Sequence, residues 1–523
     1  MTSTARESHS SKNANEMLTA LDSDVIVGKD ILELLSSSMY VEPLTIFREY
    51  VQNSADAIDE AVDKGILEAS AGRIEIETDP TERRILIRDN GIGIKKHKFS
   101  QRMTTFGASH KRGTTARGFR GVGRLAGLGY CQELLFRSRS HGEKEISEIA
   151  WDCRRMKALL SDASFSGELN DIVQKVVTLR NYEDSNQPDH FFEVDILKPL
   201  RFPGDTLLNE VAIGAYLSQV APVPFARDYR FSDVTYDTLS KHLKLGEFQI
   251  YIGKSKEQIY RPYKNFISYS NEQKGGIDTP EFFEIDSIDG SPAAIGWILH
   301  HDYRGAIPNS SGVKGLRARV GNIQIGTHKI FSTIFPESRF NSWTVGEVHI
   351  LDQKIVPNGR RDNFEQNSHL SNLTNRLMPI THNVARHCRN SSAIRNRIKI
   401  FELGSQKIDE RLKVLQQGAI PRNTAATLRR EVGALLLEIR KAADFDLINE
   451  GIKADLLSSF QKLEKRTSGL SKRNGGSHNA LDHLSKRDRQ MFEKVIGLIY
   501  ECSANHVTAK SLVDRILARM SHA

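Results

Sequence analysis

The sequence predicts an α+β protein whose carboxyl-terminal region is helical. Three observations predict this class. Residues 43–64 form an amphipathic helical pattern, an alternating strand beginning at Arg84 runs into a glycine-rich turn, and helical stripes recur after residue 366. At 523 residues, the chain is long enough for about three domains.

The first element is the predicted helix in residues 43–64. Its apolar residues recur at helical spacing, namely Leu44, Phe47, Val51, Ala55, Ile58 and Val62. On this helix Glu49, Asn53 and Asp56 share one stripe beside the apolar face. An amide oxygen can ligate Mg²⁺, and a carboxylate one turn away can orient or deprotonate an attacking water. An acid and an amide at this spacing are also common on solvated helix faces, so the helix alone leaves both interpretations open.

The second element is a strand from Arg84 to Arg88, with Ile85 and Ile87 on one face. It runs into the sequence Asp-Asn-Gly-Ile-Gly of residues 89–93. Glycines there permit backbone angles and close approaches that a Cβ atom would forbid. A carboxylate at the end of the strand could accept a hydrogen bond from an exocyclic amine such as that of adenine. The ordinary alternative is a plain turn.

The third element is a glycine-rich segment in residues 106–129. Its glycines at 107, 113, 118, 121 and 123 predict a mobile loop that runs into a helix near Val122. Free N–H groups at the start of a helix suit phosphate. A glycine-rich loop alone is weak evidence, but the three segments together, in this order, strongly indicate a nucleotide site.

This order resembles that of the GHKL ATPases, which include gyrase-type topoisomerases, heat-shock-90-type chaperones, sensor histidine kinases and MutL-type repair proteins. The resemblance covers residues from about 25 to 200. It implies a GHKL-type (Bergerat) α/β sandwich domain that binds ATP and Mg²⁺. By this resemblance Glu49 is the general base, Asn53 the Mg²⁺ ligand and Asp89 the carboxylate that recognises adenine. The other implied nucleotide-binding residues are Asp56, Gly91, Gly93, Ser109, Lys111, Gly118, Gly121, Val122 and Gly123.

Two details refine the resemblance. Histidine kinases lack the hydrolytic glutamate in the equivalent helix, so Glu49 favours hydrolysis over phosphotransfer to a side chain. Relatives often have Gly-Thr leading into a strand near the end of the domain. Here residues 190–197 read His-Phe-Phe-Glu-Val-Asp-Ile-Leu, which keeps the strand without that threonine.

Residues 315–365 carry a second resemblance, to the middle domain of heat-shock-90-type chaperones. Residues 315–326 alternate as a strand, and Val345–Ile350 leads to a loop that contains Arg360, Arg361 and Asp362. The resemblance implies that an arginine of this loop reaches the γ-phosphate of ATP. Arg361 is the better match, and Arg360 is the runner-up. In topoisomerase and repair relatives a lysine has this role, for which Lys314 is the candidate. The ordinary alternative is a surface turn with an ion pair.

Residues 366–523 are predicted to be helical, either as a bundle or as a dimerisation module. A polar link is expected from Arg466 to Ala480. The apolar stripes are Leu428, Val432, Leu435 and Ile439; Leu456, Phe460 and Leu463; Phe492, Val495 and Ile499; and Leu512, Ile516 and Met520. The predicted organisation is a disordered segment at 1–20, the ATP-binding domain at 21–205, an α/β middle domain at 206–365 and helices at 366–523.

Charge is unevenly distributed along the chain. The net charge is +8, yet residues 95–139 alone hold eleven lysines or arginines and one acid. Residues 371–401 add six basic residues and no acid. Such surfaces attract nucleic acid, but they also bind acidic proteins or remain solvated. Four scattered cysteines predict reduced thiols in a cytoplasm. No membrane span or signal peptide is expected.

The two resemblances imply a Mg²⁺-dependent ATPase that acts as a conformational clamp of the heat-shock-90 type. It is expected to be a homodimer that acts on protein clients or with a partner protein. Two alternatives stay open. One is a DNA-associated ATPase of the MutL or chromatin-remodelling sort, for which the basic region 95–139 would bind nucleic acid. The other is an ATP-gated switch in a stress or defence system.

Overall fold

The computed structural model describes residues 29, 32, 42–106, 123–165, 167–270, 272–417, 422–472, 481, 484–504 and 506–520. Contacts divide the chain into two compact units. The first consists of Met1–Pro224, Leu245–Arg261 and Gly321–Ile323, and the second of Phe225–Lys244, Pro262–Val320 and Gln324–Ala523. The domain boundaries given above stay predictions, and the segment 1–20 lies outside the described residues.

The first unit is an α+β layer built on an eight-stranded sheet. Its described helices are α1 (Thr45–Asp63), α2 (Lys96–Thr104), α3 (Cys153–Ser161), α4 (Leu169–Val176) and α5 (Glu210–Val220). Its strands are β1 (Arg73–Asp79), β2 (Arg84–Asp89), β3 (Glu133–Arg139), β4 (Glu145–Asp152), β5 (Val177–Glu183), β6 (Phe191–Leu197), β7 (Gln249–Ile252) and β8 (Glu257–Gln258). They lie in the order β5-β4-β3-β6-β2-β1-β7-β8. All neighbours are antiparallel except β1 and β7, which are parallel.

Helix α1 and strand β2 confirm the predicted helical and strand patterns. Phe47, Val51 and Ala55 of α1 are fully buried in one cluster with Ile85 and Ile87 of β2. Alternation along β2 places Asp89 on the same face as these isoleucines. The sheet therefore delivers a carboxylate to the layer that α1 covers.

The other face of the sheet carries a layer of ion pairs. Arg84 donates to both carboxylate oxygens of Asp195 at 2.7 and 2.8 Å. Arg137 donates to Glu148 at 2.6 Å and to Glu193 at 2.7 Å. These residues lie directly or diagonally opposite one another on neighbouring strands among β2, β6, β3 and β4. The ion pairs are therefore cross-strand pairs that stabilise the observed register.

The second unit begins with mixed α and β structure. It contains helix α6 (Ser232–Ser240), the short pair β9 (Ile267–Ser268) and β10 (Lys274–Gly275), and a five-stranded sheet in the order β11-β12-β15-β13-β14. The sheet strands are β11 (Ile277–Asp286), β12 (Pro292–His301), β13 (Gly315–Val320), β14 (Ile323–Ile325) and β15 (Val345–Ile350). The single strand predicted over residues 315–326 is therefore wrong. Gly321 and Asn322 have φ of 55° and 63°, and such a pair makes a tight turn between two strands.

The helices after residue 366 are α7 (Ser368–Gln417), α8 (Arg422–Ala443), α9 (Glu450–Lys472), α10 (Lys486–Cys502) and α11 (His506–Met520). The stripes on α8 and α9 are confirmed, since Val432, Ile439, Phe460 and Leu463 share one buried cluster. The polar link predicted from Arg466 begins too early, because α9 continues to Lys472. Residues 473–480 lie outside the described residues.

The predicted stripes on α10 and α11 are confirmed in part. Phe492, Ile499 and Met520 pack against a buried cluster, but two other predicted residues do not. Val495 and Leu512 are 43% and 39% exposed, whereas their neighbours Ile496 and Val513 are buried. Ile496 and Val513 pack in one cluster with Leu428 of α8. The partner helices thus select which of several adjacent apolar residues turns inward. None of the helices in the described ranges combines the length and apolar content needed to cross a bilayer.

Candidate functional site

Helix α1 places the predicted acid and amide residues at its inner side. Glu49 is 4% exposed and Asp56 is 8% exposed, while Asn53 is half-buried. The helix packs against a 3-10 helix at Gly123–Gly129, which follows the glycine-rich segment. A Cβ atom at position 123 would lie 2.3 Å from Oε2 of Glu49. Glycine at this position lets the backbone approach the carboxylate closely.

A neighbouring arginine, which the sequence analysis missed, holds the other oxygen of Glu49. Arg48 donates to Oε1 of Glu49 from Nε at 3.3 Å and from Nη2 at 3.1 Å. Both side chains are at least nine-tenths buried. Consecutive helical residues usually point about 100° apart, so no spacing rule would have paired them.

Asp89 is a buried carboxylate with an oxygen left over. Its Oδ1 accepts from the backbone N–H of Gly91 at 2.9 Å. Burial raises the pKa of Asp89 to about 7, although Ser54 and the backbone amides of Gly91 and Phe192 oppose the rise. Oδ2 is shielded from solvent and accepts no hydrogen bond from the described residues. An acceptor of this kind fits the exocyclic amine of adenine.

The glycines after Asp89 are needed for close backbone packing. Gly93 has a φ of 72°, and a Cβ atom there would lie 2.0 Å from the carbonyl oxygen of Arg139. A Cβ atom at Gly91 would lie 2.7 Å from Ala57 of α1. The turn therefore has room only for glycine at both positions, and this holds Asp89 against α1. Contact of Gly93 with a base stays a prediction.

The described residues of the first unit fit a Mg²⁺ ion whose coordination sphere is completed by phosphate oxygens and water. Among the described residues, no group of three or more His, Cys, Asp or Glu side chains could hold a metal ion. Asn53 offers one amide oxygen on the partly exposed edge of α1. Mg²⁺ typically takes one or two protein ligands and completes its shell with phosphate oxygens and water. The donor set therefore suits a metal that arrives with a nucleotide.

Several predicted residues cannot be placed. Gly107, Ser109, Lys111, Gly118, Gly121 and Val122 lie outside the described residues. The helix predicted near Val122 is, in its described part, the seven-residue 3-10 helix that starts at Gly123. The role of this segment in phosphate binding stays a prediction.

The candidates for a second-domain cation lie in the second unit. Arg361 is half-buried in the loop after β15 and has a φ of 56°, which is unusual for a residue with a side chain. Its backbone N–H donates to Asn358 at 3.1 Å, and its carbonyl accepts from Gly326 at 2.8 Å. Arg360 is exposed, and Lys314 donates to Asn309 at 2.9 Å. The loop fixes the backbone of Arg361 in a strained form, as loops that present functional side chains often do.

Comparison with known proteins finds similarity in this region. The family described as histidine kinase-, DNA gyrase B- and HSP90-like ATPase matches residues 47–169. Proteins named chaperone protein HtpG are also similar to parts of the chain. The protein of Chlorobium phaeobacteroides is 32% identical over 87 residues, which cover 16% of this chain and 14% of that protein.

Two further HtpG proteins align over longer stretches. The protein of Bacillus licheniformis is 24% identical over 189 residues, covering 33% of this chain and 29% of its own length. That of Coxiella burnetii is 28% identical over 142 residues, covering 24% and 22%. The chain thus aligns with less than a third of the length of each of these relatives. The predicted resemblance to GHKL ATPases, and to HtpG among them, is confirmed.

Proposed function

We propose that this chain, whose first unit carries a GHKL ATPase domain similar to that of HtpG, binds ATP with Mg²⁺ and hydrolyses it. The observation that carries the proposal is a pair of buried carboxylates with different surroundings. Glu49 is held by Arg48 and faces Gly123, whereas Asp89 keeps one shielded oxygen without a donor. Two carboxylates in contrasting environments suit two different tasks.

The tasks follow from the surroundings. Asp89 accepts a hydrogen bond from the exocyclic amine of adenine. Its buried Oδ2 then gains a hydrogen bond that a base without this amine could not donate, and this difference gives selectivity for adenine. Glu49 orients the attacking water and accepts its proton. Asn53 is the side chain that would hold Mg²⁺, which neutralises charge on the phosphates. Arg361 of the second unit would add a preorganised positive charge for the transition state.

The clamp is proposed to work as a homodimer joined through α10. Met491, Val495 and Leu498 lie at positions i, i+4 and i+7 on this helix and are 69%, 43% and 50% exposed. They form one apolar stripe on the side opposite to the buried Ile496 and Tyr500. Residues 486–494 carry four basic and two acidic side chains, so this half of α10 is positively charged. In the other half, residues 495–502, Glu501 is the only charged side chain. An antiparallel pairing of two copies would set these unlike halves against each other.

Protein clients are favoured over nucleic acid as the target of the clamp. The HtpG relatives are named as chaperones. Part of the basic stretch 371–401 is engaged within the second unit, since Arg389 pairs with Glu337 at 2.7 Å and Arg395 donates to the carbonyl of Tyr303 at 2.8 Å. These contacts reduce the positive charge that remains available for phosphates.

Steady-state ATP hydrolysis tests the proposal. We expect slow Mg²⁺-dependent turnover that Glu49→Ala abolishes while ATP binding persists, and loss of Mg²⁺-dependent binding in Asn53→Ala. Normal hydrolysis by Glu49→Ala would refute the mechanism. The assay is repeated with duplex DNA at low and moderate salt. Stimulation that fades with salt would favour the DNA-associated alternative, and indifference to DNA would favour the protein-directed clamp.

A further inference from the structure

Arg124 is a shielded cation at the start of the 3-10 helix Gly123–Gly129. Its Nη2 donates to the carbonyl oxygen of Thr105 at 2.5 Å. Its Nε is hidden from solvent and has no hydrogen-bond partner among the described residues. Among the described residues, one backbone carbonyl accepts a hydrogen bond from this guanidinium, which has five N–H donors.

The charge of Arg124 is also not compensated locally. Burial and, to a smaller extent, the positive charge of Arg102 together lower the pKa of its guanidinium to about 10. No carboxylate of the described residues forms an ion pair with it. Arg124 is half-buried. Two fully buried arginines do have carboxylate partners, since Arg48 pairs with Glu49 and Arg319 pairs with Glu347 at 2.7 Å. A desolvated cation without a partner is costly, and an anion bound beside it would offset that cost.

The position of Arg124 indicates which anion this is. Its chain neighbour Gly123 lies against Oε2 of Glu49, the carboxylate that orients the attacking water in the proposed mechanism. Because that water attacks the terminal phosphate of ATP, the backbone of Arg124 begins on the terminal-phosphate side of the proposed nucleotide site. Arg102 adds positive potential from helix α2.

We propose that Arg124 binds the terminal phosphate of ATP and makes the site prefer nucleoside triphosphates over diphosphates. This inference rests on the proposed function and adds a residue to it. A guanidinium offers paired N–H groups whose geometry matches phosphate oxygens. When the triphosphate binds, the N–H groups of Arg124, including the shielded Nε–H, would donate hydrogen bonds to these oxygens.

The test compares the affinities for ATP and ADP in the wild type and in Arg124→Met, by calorimetric titration of the full chain. Methionine keeps much of the length and removes the charge. We expect ATP affinity to fall by about 10- to 100-fold and ADP affinity to change by less than about threefold, so the ratio collapses. Arg154→Met, which removes an exposed arginine of α3, is the matched control and should leave both affinities unchanged.

Thermal unfolding without nucleotide separates this role from a structural one. A structural arginine would lower the melting temperature when removed. Loss of a half-buried charge that has no ion-pair partner among the described residues should leave the melting temperature of Arg124→Met unchanged or raise it.

Arg124→Lys covers the case in which the methionine variant does not fold. Lysine retains the charge but lacks the planar fork, so the ATP-to-ADP preference should still fall, by about tenfold. A preference equal to that of the wild type in the folded variants would overturn the inference. Failure of the wild type to bind ATP at all would instead refute the proposed function.

Discussion

Arg48 donates two hydrogen bonds to Oε1 of Glu49, and Oε2 of the same carboxylate faces Gly123. The two contacts to Oε1, at 3.3 and 3.1 Å, come from adjacent N–H groups of one guanidinium. Since both side chains are buried, the pair fixes the plane of the carboxylate. The orientation of the proposed general base is therefore set by its own chain neighbour.

Arg48→Ala should impair hydrolysis more than binding. The variant breaks a buried ion pair, which typically costs about 3–5 kcal/mol, and removes the guanidinium that holds Oε1 of Glu49. We expect kcat to fall at least about tenfold with the ATP dissociation constant changed by less than threefold. Single-turnover hydrolysis and equilibrium binding measure the two effects. Equal losses in both would show that Arg48 acts in folding or in nucleotide binding.

Gly123→Ala should disable the same carboxylate from the opposite side. The new methyl group would sit 2.3 Å from Oε2, so Glu49 must move while Arg48 still holds Oε1. Turnover should fall at least about tenfold. Gly214→Ala in α5 is the control, because its Cβ atom meets nothing within 4 Å and alanine stabilises a helix by up to about 1 kcal/mol over glycine. Wild-type turnover in Gly123→Ala would contradict the packing described.

Asp89 should make stability depend on pH. Its pKa is about 7 in the folded protein, against an ordinary value of 3.8, so the folded state binds more protons between these values. The free energy of unfolding should therefore decrease as pH rises from about 4 to about 7, by at most about 4 kcal/mol, and level off above.

The comparison uses urea unfolding without nucleotide, at pH 5 and pH 8, for the wild type and Asp89→Asn. The asparagine side chain does not titrate in this range. The free energy of unfolding should therefore fall less, between pH 5 and pH 8, in Asp89→Asn than in the wild type. If both proteins respond identically to pH, Asp89 does not titrate between pH 5 and pH 8 in the folded protein, which contradicts a pKa of about 7.

Arg361→Ala should slow hydrolysis while leaving ATP affinity close to that of the wild type. A cation that acts on the transition state supports kcat, with an expected loss of about 10- to 1,000-fold. Arg360→Ala, one residue away and exposed, is the control and should retain turnover. The reverse result would transfer the role to Arg360, and a large loss of affinity in Arg361→Ala would indicate a role in binding or folding.

Leu498→Glu should weaken self-association. A carboxylate in the apolar stripe of α10 must be desolvated at a paired surface, so we expect the dimer dissociation constant to rise at least about 30-fold. Analytical ultracentrifugation over a range of concentrations measures this. Val211→Glu alters a residue that is 82% exposed on the first unit and should leave association intact. Unchanged association in Leu498→Glu would exclude the stripe as the interface.

The elements that could be predicted from sequence are those whose pattern is local. Helix α1 and strand β2 each show one clear period, and their bounds lie within two residues of the prediction. The phase of α10 could not be obtained this way, because Val495, Ile496, Leu498 and Ile499 are all apolar. Packing against α8 selects among them, and that contact is not encoded in α10 alone.

The candidate site residues that the sequence could predict are those that belong to a motif. Glu49 and Asp89 were predicted because their motifs have a fixed order along the chain, and their roles stay predictions. Arg48 and Arg124 lack such a signal, since their importance comes from which groups surround them after folding. For Arg124 the informative fact is the shielding of Nε beside Thr105 and Arg102, which only the packed structure supplies.

Strand β7 has a consequence for the order in which this protein can fold during synthesis. It pairs in parallel with β1 yet follows it by about 170 residues, and Gly321–Ile323 of the same unit emerge later still. Until β7 has been synthesised, β1 has an unpaired edge, and nascent chains can aggregate through such edges. A fragment that ends near residue 205 would keep that edge permanently. The first unit should therefore need residues well beyond its own motifs before it can leave the ribosome in a form that does not aggregate.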